Sequence, residues 1–482
     1  MNISFDNTYA RLPERFFKPQ LPAKVPAPEL IRVNRELAGE LGIDAEWLES
    51  DEGLSVLAGN AIAEGSEPIA QAYAGHQFGH FVPQLGDGRA ILLGEVVSGN
   101  GKRYDLQLKG SGRTAFSRAG DGKSALGPVI REYILSEAMA ALGVPTTRAL
   151  AAVATGETVY RQEGEVPGGV FTRVASSHVR VGTFQYFQSR GDVDAIRSLA
   201  DFVIKRHYPE ALQAEDPYLA LLRNVVERQA SLVAQWMSLG FIHGVMNTDN
   251  MAVSGETIDY GPCAFMEVFH PECVFSSIDR NARYAWGNQG NIAFWNLTRL
   301  AEALLPVIDE KPEDSSRKAE AVLNEFTDRF ADQYVARFKS KLGSSEVVSK
   351  ELIQETLQLL ASQEVDFTLF FRHLTRSAGG ASTAELEDLF KNRDTFGEWF
   401  SKWSAMDVST EGLQAMQRAN PILTPRNHRV EQAIQAAYRS DYSVFHRLVN
   451  ALATPFVDDP ANRDLEARPL PEEVVHQTFC GT

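Results

Sequence analysis

The chain has 482 residues, of which 44% are hydrophobic and 23% charged, as is ordinary for a globular protein with a large core. Acidic residues outnumber basic ones by 63 to 47, and the formal net charge of −16 argues against a general nucleic-acid-binding protein. Three cysteines are too few for a disulfide framework, and no apolar run reaches the roughly 20 residues that span a membrane. Because the first residues lack a secretory or transit signal, we expect a cytoplasmic protein of two or three lobes.

The first hundred residues predict one helix and one β-hairpin. A helix is predicted near Glu29–Leu41, ended by Gly42. Ala90–Val97 and Tyr104–Leu108 have the alternation of two paired strands. The preceding Gly86-Asp87-Gly88-Arg89 contains Asp-Gly, a strong hairpin-turn signal, but a glycine-rich loop can also bring backbone N–H groups close to a phosphate.

A lysine at a strand end and a glutamate on the next helix form a candidate ion pair. Lys109 closes the second strand, and Glu132 follows 23 residues later on a predicted helix that has Pro128 in its first turn and ends at Gly143. In protein kinases a strand lysine is held by a helix glutamate and directed at the nucleotide phosphates. A lysine at a strand end is also commonly just solvated, and Glu137 is a rival for Glu132.

More strands and two arginines follow. Ser117–Lys123 is a second glycine-rich loop with local positive charge, and it includes Asp121 and Gly122. Arg173 and Arg180 are candidate phosphate clamps, because arginine binds phosphate with a bidentate fork, although surface arginines are usually solvated or salt-bridged. The predicted strands of this region are Ala151–Ala154, Thr158–Arg161 and Gly169–Val174.

From Asp192 onward the pattern is mostly helical. Tyr218–Leu239 predicts a long helix ending at Gly240, and Phe294–Ile308 predicts another. Asp309–Arg317 is predicted to be a charged loop. Strands followed by helices predict an α+β, protein-kinase-like bilobal fold with a small, mainly β N-lobe, a larger helical C-lobe and a helical C-terminal extension. The expected divisions are 1–70 (N-terminal extension), 71–185 (N-lobe), 186–310 (C-lobe) and 311–482 (helical region with a C-terminal tail).

Between those helices, His243–Asn250 (HGVMNTDN) and Ile258–Gly261 (IDYG) match a kinase catalytic loop and metal-binding motif in part. Asn250 and Asp259 occupy the positions that hold magnesium in protein kinases. Where a kinase has its catalytic aspartate, this chain has Val245, which neither accepts a proton nor binds a metal. A new carboxylate, Asp249, stands beside Asn250. Taken alone, Asn-Thr-Asp-Asn is equally compatible with a turn.

With these motifs the chain resembles the selenoprotein O family, kinase-like proteins that transfer AMP from ATP to protein hydroxyls. In that family the nucleotide is bound in the reverse sense to a kinase, so that its α-phosphate faces the acceptor. The resemblance runs nearly end to end and includes Tyr73–Gly79, Leu108–Gly112, Ile130–Tyr133, His243–Asn250 and Ile258–Pro262.

The resemblance implies a role for each candidate residue. Asp249 is expected to be the catalytic base, and Asn250 and Asp259 are expected to bind Mg²⁺, with Mn²⁺ as the alternative metal. Lys109 is expected to pair with Glu132. The implied nucleotide-binding residues are Gly86, Gly88, Arg89, Lys109, Asp121, Gly122, Arg173, Arg180 and Asp259, of which Lys109, Arg173 and Arg180 bind the distal phosphates.

The implied function is Mg²⁺-dependent transfer of AMP to Ser, Thr or Tyr hydroxyls, including those of the enzyme itself, with release of pyrophosphate. We expect a monomer with protein substrates and neither nucleic-acid nor membrane partners. One alternative is a phosphotransferase of the aminoglycoside type that uses the γ-phosphate, although such enzymes keep an aspartate at the position of Val245. The other is a pseudokinase scaffold without turnover, against which the retained lysine and metal ligands argue.

Animal members of the family carry selenocysteine near the C-terminus, and Cys480 stands at the corresponding place here. The resemblance implies a disulfide between Cys480 and Cys273, which lies twelve residues beyond the Asp-Tyr-Gly motif, and a buried thiol at Cys263. The alternative is three unrelated thiols in a reducing cytoplasm.

Overall fold

The computed structural model describes residues 2–161, 164–343 and 348–479 and shows a strand-rich N-terminal part followed by a helical C-terminal part. Within these ranges no helix combines the length and the apolar character needed to cross a membrane. The strands are β1 (Phe17–Pro19), β2 (Glu29–Val33), β3 (Ile69–Gln71), β4 (Gly75–Gln77), β5 (His80–Val82), β6 (Ala90–Val97), β7 (Arg103–Lys109), β8 (Ser124–Ala125), β9 (Arg148–Arg161), β10 (Gly164–Ala175), β11 (Phe241–Ile242) and β12 (Ala264–Phe265). The helices are α1 (Arg35–Glu40), α2 (Ala45–Leu48), α3 (Asp51–Leu57), α4 (Leu126–Ala141), α5 (Val181–Gln188), α6 (Val193–His207), α7 (Pro217–Leu239), α8 (Gln289–Ile308), α9 (Pro312–Leu342), α10 (Lys350–Gln363), α11 (Phe367–Ala378), α12 (Ala384–Glu387), α13 (Arg393–Ser404), α14 (Thr410–Ala419), α15 (Asn427–Ala437), α16 (Ser443–Leu452) and α17 (Arg463–Glu466).

The main sheet is antiparallel, with the strand order β1-β3-β6-β7-β10-β9-β2 and β8 paired to β10. The predicted hairpin is confirmed: β6 has the predicted bounds, and β7 extends the second strand by one residue at each end. The two strands predicted at 151–161 are wrong as separate strands, because β9 runs through them without a break. The sequence between the two predicted strands indicated a turn. The strand continues there with a register shift against β10 and a left-handed Gly156.

The helix predicted near 29–41 is also wrong in its first part. Residues Glu29–Val33 form the edge strand β2, paired with β9, and helix α1 begins only at Arg35. Burial alternates here, with Ile31 and Val33 facing inward, and this period of two suits a strand rather than a helix. Asn34 then caps the helix, since its side chain accepts a hydrogen bond from the Leu37 N–H.

The helical part contains the predicted long helix α7, which ends at the left-handed Gly240 and leads through β11 into the HGVMNTDN loop. The loop predicted at Asp309–Arg317 is wrong, because α9 begins at Pro312. Proline is tolerated in the first turn of a helix, where its missing N–H would have no partner in any case. Helices α7, α8 and α9 pack together and contribute to the largest hydrophobic core.

A second core joins the sheet to the C-terminal helices through α4. One side of α4 packs on β9 and β10, and the other side packs on α15 and α16. Tyr133 of α4 is fully buried between Phe171 of β10 and Phe445 of α16, with ring centroids 6.5 and 5.3 Å away. The position of α4 therefore depends on both the main sheet and the C-terminal helices.

Candidate nucleotide-binding and catalytic site

A cavity of about 1160 Å³ is lined by the sheet, by the loops beside it and by the segment that follows β11. Its size falls near the upper end of the range for small-molecule sites. Val245 is also part of its wall. The structure brings together around this cavity the candidate residues Gly86, Gly88, Arg89, Lys109, Asp121, Gly122, Arg173, Arg180, Asp249, Asn250 and Asp259.

Three cations converge on the Asp259 carboxylate. Its Oδ1 atom accepts from Lys109 Nζ at 3.0 Å and from Arg173 Nη1 at 2.6 Å, and its Oδ2 atom accepts from Arg180 Nη1 at 2.7 Å. Burial by itself would raise the pKa of Asp259, but the charges of Arg173, Arg180 and Lys109 outweigh it and hold the pKa well below its ordinary value. Asp259 is therefore ionised and holds three cationic side chains at one point.

Glu132, rather than Glu137, is the helix partner of Lys109. Glu132 Oε2 lies 2.5 Å from Lys109 Nζ, and Oε1 accepts from Arg173 at 3.1 Å. Glu137 instead forms a bidentate pair with Arg148 at 2.9 and 2.8 Å. Glu132 thus binds two of the three cations, Lys109 and Arg173, whose side chains line the cavity.

The Asp249 carboxyl is buried, although it lines the cavity. Its Oδ2 atom accepts from Gln77 Nε2 at 3.3 Å, whereas Oδ1 has no hydrogen-bond partner among the described residues. Burial raises the pKa of Asp249 to about 6, against the opposing charge of Arg180. A carboxyl with a free oxygen and a pKa near neutrality suits proton acceptance.

The loop that carries Asp249 is fixed by buried hydrogen bonds. His243 Nε2 lies 2.9 Å from the carbonyl oxygen of Ile258, which joins the loop to the segment just before Asp259. Burial lowers the pKa of His243, so the ring is neutral and donates from Nε2. Asn250 donates from Nδ2 to the Val245 carbonyl at 2.9 Å, and its amide oxygen remains available as a ligand.

The hairpin of β4 and β5 covers the loop that carries Asp249, and sequence reasoning did not find this role. The His76 N–H donates to Thr248 Oγ1 at 2.7 Å, and the Phe78 N–H donates to Asn247 Oδ1 at 3.0 Å. A Cβ atom on Gly75 would lie 2.5 Å from Asp249 Oδ1, so only glycine fits there. The closely spaced glycines of this stretch were the available signal of a close backbone approach.

The loop containing Gly86 and Gly88 is not a hairpin turn, because the strands on either side of it, β5 and β6, pair with other strands. The loop packs on Phe116, and a Cβ on Gly86 would lie 2.3 Å from the ring of that residue. Asp87 is buried between the two glycines, where it accepts from the Gln71 N–H at 3.1 Å. Burial raises the pKa of Asp87 to about 6. Sequence reasoning missed this second buried carboxyl.

Asp121 lies at the rim of the cavity, where its carboxylate accepts from Arg161 at 2.9 Å and from the Lys123 N–H at 2.9 Å. Burial raises the pKa of Asp121, but the hydrogen bonds from Arg161 and from the Lys123 N–H outweigh it and hold the pKa below its ordinary value. This ion pair stabilises the glycine-rich loop 117–123 against β9.

The oxygen ligands of the site fit a magnesium ion. Asp259 offers a carboxylate and Asn250 an amide oxygen to such an ion. Among the described residues no cluster of three His, Cys, Asp or Glu side chains forms a closed metal cage. Mg²⁺ is usually held by one or two carboxylates, with phosphate oxygens and water as its other ligands, so this open set is adequate.

The expected disulfide is only partly within the described chain. Cys263 is buried and Cys273 half-buried, both as free thiols, and burial raises the pKa of Cys263 to about 12 and of Cys273 to about 11. Cys480 lies outside the described residues. Just before it, the Thr478 N–H donates to the Phe275 carbonyl at 2.7 Å, and the Ser277 N–H donates to the Thr478 carbonyl at 3.0 Å.

Comparison with known proteins adds a family to this geometry. The sequence profile described as "Protein adenylyltransferase SelO" matches residues 1–453. A protein of Nitrobacter hamburgensis named protein nucleotidyltransferase YdiU is 57% identical over 488 residues, which cover 100% of this chain and 96% of the relative. Proteins of the same name from Rhizobium etli and Rhodopseudomonas palustris are 55% and 54% identical, over 100% of this chain and 97% and 100% of theirs.

Proposed function

This chain belongs to the protein adenylyltransferase SelO family, and from that premise we propose that it transfers AMP from ATP to Ser, Thr or Tyr hydroxyls of proteins. The observation that favours nucleotidyl transfer over phosphorylation is Val245 in the wall of a cavity that also holds Lys109, Asp249 and Asp259. A γ-phosphate kinase requires a carboxylate where Val245 stands. The base has moved to Asp249, four residues along the loop.

We propose a protein-kinase-like arrangement for the two parts of the chain, with residues 71–185 as the N-lobe and 186–310 as the C-lobe. The pair of Lys109 on β7 and Glu132 on α4 supports this proposal, as does the position of the cavity beside both the sheet and the loop after β11. Residues 1–70 also contribute β1, β2 and most of β3 to the sheet. The extension 311–482 packs α15 and α16 on α4.

In the proposed reaction the acceptor oxygen attacks the α-phosphorus, and the bond from that phosphorus to the oxygen bridging the α- and β-phosphates breaks. The proton of the hydroxyl passes to Asp249 Oδ1, which has no hydrogen-bond partner among the described residues. Pyrophosphate leaves with its charge balanced by Lys109, Arg173 and Arg180, since stabilising developing charge is the main task of such a site.

The three cations that pair with Asp259 would also bind the phosphate oxygens of a nucleotide. Asp259 and Asn250 would hold Mg²⁺ between them and the phosphates. The ion, when bound, supplies positive charge at the phosphates. The backbone of Gly86 and Gly88 and the side chains of Arg89 and Asp121 would complete the nucleotide pocket.

The test is incubation with ATP labelled at either the α- or the γ-phosphate. We expect Mg²⁺-dependent transfer of the α-label to protein, including the enzyme itself, with equimolar release of pyrophosphate. Chelation of divalent metal should abolish transfer, and Mg²⁺ or Mn²⁺ should restore it. Incorporation of γ-label would identify a phosphotransferase, and nucleotide binding without any transfer would identify a scaffold.

We further propose that the C-terminal tail regulates access to the site through a Cys273–Cys480 disulfide. Thr478 is hydrogen-bonded to Phe275 and Ser277, two and four residues beyond Cys273, so the tail runs beside the expected partner. Oxidation of the two thiols by a mild disulfide-forming reagent should yield a Cys273–Cys480 peptide in non-reducing peptide maps. Activity should then rise on addition of dithiothreitol.

The matched control for this redox prediction is Cys263→Ser, because Cys263 is buried away from oxidant and should leave the dithiothreitol response intact. Cys273→Ser and Cys480→Ser should each abolish that response. A wild-type response in both variants, or a map without the mixed peptide, contradicts the proposal.

A further inference from the structure

A second cavity has a volume of about 880 Å³ and lies at the opposite end of strand β7 from the nucleotide cavity. Arg103 and Tyr104, at the beginning of β7, line the second cavity, whereas Lys109, at its end, lines the first. Glu256 lines the second cavity and Asp259, three residues later, lines the first. The two cavities therefore share two segments of the chain but have no lining residue in common.

The walls of this second cavity are basic in a chain whose net charge is −16. Glu256 is the one carboxylate among its lining residues, and these belong entirely to the described part of the chain. The lining cations are Lys102, Arg103, Lys205, Arg206 and Arg228. A cleft lined by charges of one sign attracts ligands of the opposite sign, so these walls favour an anion.

Two of the five cations are neutralised within the protein. Arg206 donates to Glu95 and Asp105, both at 2.5 Å, and all three side chains are buried. Arg103 pairs with Asp6 at 2.6 Å. These pairs form part of the wall of the cavity.

The remaining three cations, Lys102, Lys205 and Arg228, form no ion pair with any described residue. Both lysines are exposed at the cavity. Arg228 is held in place by backbone carbonyls, since its Nη1 donates to Ser254 at 2.9 Å and its Nη2 to His207 at 3.1 Å. The exposed guanidinium also lies 4.3 Å from the centre of the Tyr208 ring, so it is held in one orientation without a carboxylate partner among the described residues.

The one lining carboxyl is directed into the protein. Glu256 Oε2 accepts from the Ser176 N–H at 3.1 Å, from Ser176 Oγ at 2.6 Å and from Ser254 Oγ at 3.1 Å. Burial raises the pKa of Glu256, which further weakens its ability to neutralise the lysines. Phe202 and Tyr104 add aromatic surface to the wall, against which a nucleobase could stack.

We propose that this second cavity binds a phosphate-bearing small molecule through Lys102, Lys205 and Arg228. The ligand is either an inorganic anion such as pyrophosphate or a nucleotide such as AMP. Either compound would place a phosphate group against the three cations, and the base of a nucleotide would lie on Tyr104 or Phe202. The cavity volume accommodates either compound.

Because the nucleotide cavity also attracts such anions, the test must resolve individual residues. The enzyme is treated with an amine-reactive reagent, with and without pyrophosphate or AMP at constant ionic strength, and modification is quantified by mass spectrometry. We expect protection of Lys102 and Lys205. Lys311 and Lys350 serve as internal controls, because they are exposed and line neither cavity. Stronger protection by AMP indicates a nucleotide, and stronger protection by pyrophosphate indicates an inorganic ligand.

A binding measurement on variants completes the test. Calorimetric titration with the more protective compound should show two sites in the wild type and in Lys311→Gln/Lys350→Gln. The double variant Lys102→Gln/Lys205→Gln should retain the nucleotide site and bind at the second one about tenfold more weakly or worse. The proposal is overturned if chloride or sulfate at equal ionic strength protects as well, or if both double variants titrate like the wild type. Neither outcome would affect the α-label experiment, which tests the other cavity.

Discussion

At the scale of single residues, the environment of Asp249 is the feature most directly tied to chemistry. Its carboxyl is buried against Gly75 and accepts a long hydrogen bond from Gln77, and its other oxygen has no side-chain or backbone partner among the described residues. Such an arrangement is costly for the folded protein, since buried polar atoms are normally hydrogen-bonded. Proteins tolerate that cost mainly at functional sites.

We predict that Asp249→Asn retains ATP binding but loses turnover by about 10²–10⁴-fold, the usual contribution of a general base. The amide has nearly the same shape as the carboxyl but cannot accept the hydroxyl proton. The measurement is initial rate with α-labelled ATP, accompanied by nucleotide affinity and melting temperature. A variant with near wild-type turnover would rule out Asp249 as the base.

At the scale of elements, α4 carries two glutamates with different tasks. Glu132 holds Lys109 and Arg173 at the cavity, whereas Glu137, five residues along, holds Arg148 and the backbone N–H of Ala149. Those partners of Glu132 are on β7 and β10, whereas those partners of Glu137 are on β9. The helix is fixed in turn by Phe445 of α16, which packs on Tyr133 next to Glu132.

Glu132 and Glu137 provide a matched comparison. We predict that Glu132→Gln lowers kcat/KM by at least about tenfold, because Lys109 and Arg173 lose the carboxylate that orients them and breaking a buried ion pair is costly. Glu137→Gln should reduce the melting temperature but leave kcat/KM of the folded enzyme within a few-fold of wild type. Equal losses of kcat/KM in the two variants would show that α4 acts only as a structural support.

At the scale of the whole molecule, a buried charge network joins the segment after β12 to the C-terminal helices. Arg426, just before α15, binds both Glu267 and Asp366, the latter at 2.9 Å. Burial, with repulsion from Asp366, raises the pKa of Glu267 to about 7 despite the charge of Arg426. His428 lies near the same carboxyl, and burial lowers the pKa of His428 to about 4, so that ring is neutral above pH 5.

Because the folded-state pKa of Glu267 is above its ordinary value of 4.5, its stabilising contribution is complete below about pH 4.5 and is lost as pH rises through 7. We predict that the melting temperature of Glu267→Gln minus that of the wild type increases from pH 5 to pH 8. Glu364→Gln is the control, since that exposed carboxyl is paired with Lys391, which holds its pKa below the ordinary value. The difference in melting temperature between Glu364→Gln and the wild type should not change over the same pH range. A difference that is equally independent of pH for Glu267→Gln would refute the prediction.

Much of this molecule follows from local sequence. The strands β6 and β7, helix α7 with its terminal Gly240, and the candidate ligands Asn250 and Asp259 are predictable because turn chemistry, periodicity and a short motif act within a few residues. The kinase-like ion pair of Lys109 is also suggested by the order of strand and helix. Local patterns failed at β2, where pairing with the distant β9 overrides the helical pattern of Glu29–Val33.

Only the tertiary structure decided the rest, because it depends on residues far apart in the chain meeting at one point. The choice of Glu132 over Glu137 depends on which face of α4 meets β7. The convergence of Arg173 and Arg180 on Asp259 joins side chains separated by 86 and 79 positions. The burial that raises the pKa of Asp249, and the second basic cavity, likewise arise from packing between distant segments, which no local pattern of charge or hydrophobicity encodes.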